Sequence, residues 1–110
     1  MTITNLNDQT FEEFVQGAER PLLVEFSARW CGPCKMLAPV LRGLAADQAG
    51  ELEVAEIDVD DNPYTVSRYR VMSMPTLVLF VDGEERARLV GARGKAHLLQ
   101  DLAEHLSSRV

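Results

Sequence analysis

The 110-residue chain is short of several things, and each shortage narrows what it can be. It has two cysteines, too few for a disulfide framework. It has eleven Lys and Arg against seventeen Asp and Glu, a formal net charge of -6. No basic patch is therefore expected for a nucleic-acid or anionic-membrane partner. Long apolar runs are missing too. The strongest late run, Leu77-Val78-Leu79-Phe80-Val81, is far shorter than the ~20 residues that cross a bilayer. The N-terminus lacks a basic stretch followed by an apolar one, so no signal peptide is expected. There are no repeats, low-complexity tracts or linkers. These absences point to one domain over residues 1–110, cytoplasmic, with no membrane and no nucleic acid among its partners.

What is present is ample for a core: 46% of residues are hydrophobic. Residues 1–6 read as a short edge strand. Asn7 or Asp8 can cap a following helix in which Phe11, Phe14 and Val15 share a stripe. Pro21 opens the nearly continuous apolar run 22–26, a strand covered on both faces. Leu37, Leu41 and Leu44 mark a helix over 34–49, with a kink predicted at Pro39 and a stop at Gly50. A strand follows over 52–59. Asn62-Pro63 supplies a cap and an N1 proline for a helix reaching about residue 70. Residues 76–81 form another buried strand. Asp82-Gly83 signals a hairpin to a last strand over 86–90. Leu98, Leu99, Leu102 and Leu106 face inward from a closing helix over 95–106. Parallel crossovers followed by one hairpin give an α/β fold: a mixed sheet with helices on both faces.

Both cysteines lie in Trp30-Cys31-Gly32-Pro33-Cys34-Lys35, between a strand and a helix. In that setting C-x-x-C reads as a redox pair. A disulfide needs Cβ atoms about 3.8 Å apart. Residues three apart on a regular helix are about 5–6 Å apart. Cys31 should therefore precede the helix, with Cys34 in its first turn. Gly32 gives the junction freedom, and Pro33 has no N–H to leave unpaired. A Cys31 thiolate would face the free N–H groups and positive end of the helix, which makes it the nucleophile. Cys34, one turn in and more covered, would resolve the mixed disulfide. Half of a zinc site is a poorer reading, since no second cysteine pair exists and His97 and His105 are eight positions apart. An inert bridge closing so short a loop would gain little.

The hexapeptide, with Pro39, Met74-Pro75-Thr76, Asp82-Gly83 and Val90-Gly91 in order after it, resembles the thioredoxin family over almost the whole chain. The resemblance implies the thioredoxin fold, a five-stranded mixed β-sheet flanked by four α-helices. It implies reduction of disulfide-containing target proteins through a reversible Cys31–Cys34 dithiol, with no other cofactor and no metal. Re-reduction by thioredoxin reductase, an NADPH-dependent flavoprotein, and a monomeric state go with it. It makes Pro75 a cis-proline, with the backbone of Met74 pairing to the incoming peptide. Trp30, Gly32, Pro33, Val59, Ser73, Met74, Val90, Gly91 and Ala92 match the family's substrate groove, with the core strand-end reading of Val59 and Val90 a near second. Lys35 could favour a nearby thiolate or simply be solvated. Two other readings remain beside reduction: a dithiol oxidant or isomerase, and a binding module whose cysteines are incidental.

Three positions depart from the family pattern. Glu25 stands where aspartate is usual, buried beneath the second cysteine and thought to handle its proton. Burial should raise such a carboxyl and fit it for base work near neutral pH. Glu56 stands where lysine is frequent, so either two acids face each other and push one higher still, or Glu56 reaches out to water and does not couple. Ser27 replaces a common tryptophan and leaves less apolar cover.

Overall fold

The computed structural model describes residues 3–107, with side chains through Leu106. Nine elements follow in order: β1 (Thr4–Leu6), α1 (Phe11–Gly17), β2 (Leu22–Ser27), α2 (Gly32–Asp47), β3 (Glu53–Asp58), α3 (Pro63–Arg68), β4 (Thr76–Val81), β5 (Glu84–Val90) and α4 (Lys95–Ser107). They build one five-stranded sheet in the order β1-β3-β2-β4-β5. β1 and β2 run parallel to β3, while β4 is antiparallel to both β2 and β5. This is the mixed five-stranded, four-helix fold expected. Met1 and Thr2, assigned to the edge strand from sequence, lie outside the described residues.

The sheet buries a different set of side chains on each face. Leu22, Val24 and Phe26 of β2, Ile57 of β3 and Phe80 of β4 pack with Phe11 and Val15 of α1. The rings of Phe11 and Phe80 meet edge-on at 6.0 Å, as do Tyr69 and Phe80 at 5.6 Å. The other face sets Leu23, Val54, Leu77 and Leu79 against Leu37, Leu41 and Leu44 of α2 and Leu98 and Leu102 of α4. Each fully buried Leu or Phe contributes about 1.5–3 kcal/mol relative to exposure. The two layers together fix β2 at the centre.

Two capping expectations are corrected. Asp8 does not cap α1. Its carboxylate accepts from the N–H groups of Tyr64 (3.2 Å) and Thr65 (2.9 Å) and from the Thr65 hydroxyl (2.7 Å), so it caps α3 from 57 residues away. Burial opposes ionisation there, but these three bonds hold the Asp8 carboxyl below its ordinary range. Asn62 makes no side-chain cap for α3 either. Its amide is committed elsewhere, accepting from the Asp8 N–H and donating to the Asp58 carbonyl, each at 2.8 Å. The turn before α1 is held instead by Asn7 Oδ1, which accepts from the N–H groups of Gln9 and Thr10.

Other boundaries shift by one or two residues. α2 begins at Gly32 and runs continuously through Pro39. β3 spans Glu53–Asp58 and α3 ends at Arg68. The final hairpin pairs Val81 with Glu84 across Asp82 and Gly83, whose φ values are 53° and 82°. Both are left-handed, as a two-residue turn matching strand twist requires. β5 therefore starts two residues earlier than its apolar pattern suggests.

Candidate active site: a disulfide at a helix start and a buried carboxyl

β2 carries the chain to the carboxyl edge of the sheet, where it turns into α2. Cys31 is the N-cap residue of α2, extended at φ -89°, ψ 110°, and its Sγ accepts the Cys34 N–H at 3.1 Å. Pro33 falls in the first turn, where its missing N–H costs nothing. Cys31 and Cys34 are joined by a disulfide, with Cα atoms 5.3 Å apart. A helix N-terminus has free N–H groups and a positive dipole end, so negative charge on the Cys31 sulfur is stabilised where it would form.

Cys34 is not the more covered of the two, as its place in the helix suggested. Both are 3% exposed, and both belong to the cluster that includes Val59 and Val71, with Met74 packed against it. Their cover is tertiary, since the cluster they share takes in residues from β3's end and the segment before β4. The Met74–Pro75 peptide is cis, Pro75 is buried, and its carbonyl accepts the Gly91 N–H at 2.9 Å.

The residues matched to a groove divide in two. Trp30 (66% exposed), Gly32, Pro33, Ser73, Val90 and Ala92 are open to solvent, and Met74 and Gly91 are half-covered. Val59 belongs to the core. Trp30 is fixed by an indole N–H donated to Asp60 Oδ2 at 2.8 Å, a partner the sequence did not disclose. Met72, which sequence reasoning passed over, is 90% exposed beside this rim. Lys35 is exposed, and its backbone N–H donates to the Cys31 carbonyl at 3.3 Å.

Glu25 sits in the middle of β2, 1% exposed. In register it has Glu56 on one side and Leu77 on the other. Its Oε2 is buried without a hydrogen-bond partner. Burial, with the facing carboxyl of Glu56 adding its charge, pushes the Glu25 carboxyl up to about 8. In the disulfide form it is therefore mostly a neutral acid at neutral pH. Ser27 follows on the same face, in register with Asp58. Ser27 and Asp58 are both half-buried at this end of the sheet. A cavity of about 910 Å³ opens there, lined by Ser27, Cys34, Lys35, Glu56 and Asp58 among others.

The thioredoxin family model matches residues 2–104. A thioredoxin of Mycobacterium tuberculosis is 50% identical over 99 residues, which cover 90% of this chain and 85% of that protein. A thioredoxin of Staphylococcus haemolyticus is 45% identical over 106 residues, covering 96% of this chain and all of that one. A bifunctional thioredoxin reductase/thioredoxin of Mycobacterium leprae is 48% identical over 99 residues, 90% of this chain but 22% of its own length. With the Cys31–Cys34 disulfide at the start of α2, these matches place the chain in the thioredoxin family, as a thiol–disulfide oxidoreductase that reduces protein disulfides.

Proposed function

We propose that the protein is a monomeric cytoplasmic carrier that works as follows. The Cys31 thiolate attacks one sulfur of a target disulfide and expels the other as thiolate, which leaves a Cys31–target mixed disulfide. Cys34 loses its proton to Glu25 and attacks the Cys31 sulfur. The Cys31–Cys34 bond forms and the second target thiolate leaves, so two electrons have passed to the target. The extended target peptide lies on Trp30, Gly32, Pro33, Ser73, Met74, Pro75, Val90, Gly91 and Ala92, with Val59 beneath. Among the described residues, neither the N–H nor the C=O of Met74 is used in a turn, loop or cap hydrogen bond. That backbone is available for a strand-like pairing. Return to the dithiol needs two electrons from a reductase. The fused reductase/thioredoxin of M. leprae supports an NADPH-dependent flavoprotein thioredoxin reductase as that partner. The disulfide itself serves as the redox group, with no further cofactor.

One observation carries this reading: Cys31 caps α2 with its sulfur on the Cys34 N–H. The test is dithiol-dependent reduction of insulin, with Cys31→Ser beside the native protein. Native turnover and an inactive variant are expected. If both proteins were equally inactive, the cysteines would be incidental and a binding role would replace this one.

A further inference from the structure

Glu25 lies one residue-pair away from water. Its Oε2 is buried without a partner, and Glu25 itself does not line the cavity beside α2. Glu56 does. It pairs with Glu25 across β2 and β3, and with Asn5 across β1 and β3. Adjacent strands are about 4.8 Å apart, so the two side chains stand side by side on one face. Glu56 is half-buried and reaches the same cavity as Cys34 and Ser27. Beside Glu25 in register stand Glu56 of β3 and Leu77 of β4. The cavity that Glu56 reaches is lined also by Cys34 and Lys35 of α2, Asp58 of β3, Asn5 of β1, and Arg29 and Asp61.

We propose that Glu56 is a proton relay between Glu25 and the water of this cavity, and that the small side chain of Ser27 keeps the cavity open. The proposal rests on the role given to Glu25 above. A carboxyl this deep must shed a proton before it can accept the one on Cys34. Carboxyl-to-carboxyl transfer followed by release from Glu56 to cavity water moves one proton outward and leaves Glu25 ionised. The reverse sequence returns a proton to Glu25, from which Cys34 takes it when the disulfide opens. No electron moves in either step. Glu56 touches neither sulfur in this scheme; it acts through Glu25.

The experiment is single-turnover oxidation of the reduced protein by a chromophoric aryl disulfide. The first equivalent of aryl thiolate reports the attack by Cys31, and the second reports resolution by Cys34. Glu56→Ala should slow the second phase about a hundredfold near neutral pH, the low end of the range for a lost proton-transfer group, and leave the first unchanged. Formate, small enough to occupy the vacated space, should restore the second phase in a concentration-dependent way. Adding Ser27→Trp to Glu56→Ala should abolish that rescue. Glu56→Gln keeps the strand's packing and should be slowed without rescue. An unslowed second phase in either Glu56 variant, or a slowed Glu56→Ala indifferent to formate, overturns the relay. Glu25→Gln separates the two ideas. If its second phase keeps the native pH profile, the role of Glu25 falls; if only the Glu56 variants behave as native, the relay alone falls.

Discussion

Replacing Glu25 with glutamine should stabilise the disulfide form, and by an amount that grows with pH. Unfolded, this carboxyl ionises near its ordinary 4.5; folded, it holds its proton to about 8. Between those values the folded chain binds more protons than the unfolded chain, so stability falls as pH rises. The favourable contribution is complete below pH 4.5 and is gone once pH passes 8. At roughly 1.36 kcal/mol per unit, the loss is about 3 kcal/mol at pH 7 and roughly 5 kcal/mol above pH 8. Glutamine is nearly isosteric and does not titrate, so it escapes the loss. Its amide can also donate to Glu56, an option the carboxylate lacks. Denaturant unfolding of the oxidised proteins from pH 4 to 9 is the assay. The native and Glu25→Gln curves should nearly meet at pH 4 and diverge steadily, with the variant higher. Titrating groups away from this pair are common to both proteins and cancel in the difference. A difference independent of pH would refute the argument, because it would mean that Glu25 ionises as easily in the fold as outside it.

Asp8→Ala should cost about 1–2 kcal/mol through the lost cap on α3, read from the denaturation midpoint. Because this carboxyl is held below its ordinary range, the native advantage should be present at neutral pH and vanish as pH falls through the folded value. Gly83→Ala should be destabilising by about 1–2 kcal/mol, since φ is +82° and a Cβ would lie 2.6 Å from Gln16 Oε1. Adding Gln16→Ala should recover the part due to that contact and leave the part due to the backbone, which a double-mutant cycle in thermal unfolding separates.

Local rules carried the reading of the sequence far where the evidence was local. The apolar runs of β2 and β4 read as buried strands because both faces of each are covered. Cys31 at the helix cap and Cys34 in the first turn followed from disulfide geometry and Gly-Pro chemistry. Partnerships across the fold were not legible. Asp8 and Thr65, or Trp30 and Asp60, are chosen by strand order and not by spacing along the chain. Asn62 looked like a cap because Asn-Pro is a good local signal. A tertiary bond to Asp8 took its amide instead. The cluster that buries the two cysteines takes in Val71 and Met74 from a loop far along the chain, which no property of the hexapeptide reveals. The cavity needed β1 beside β3, an order that the chain sequence alone leaves open.

The register of β2 and β3 explains how one sheet can be both core and reagent. On the face toward α1 and α3, Leu22 pairs with the half-buried Glu53 at the far end, and Val24 and Phe26 then run beside Ala55 and Ile57. On the face toward α2 and α4 the pairs change along the strands: Leu23 with Val54, then Glu25 with Glu56, then Ser27 with Asp58. Polarity rises toward the carboxyl edge, where the cysteines sit. A carboxyl two residues deeper, at Leu23, would carry the full desolvation cost with no acid and no cavity beside it. Two residues shallower, at Ser27, it would line the cavity and ionise in contact with water. Position 25 alone combines burial enough to raise the carboxyl with one neighbour that reaches the cavity. The apolar pairs Val24–Ala55 and Phe26–Ile57 behind it supply stability against which that placement can be tolerated.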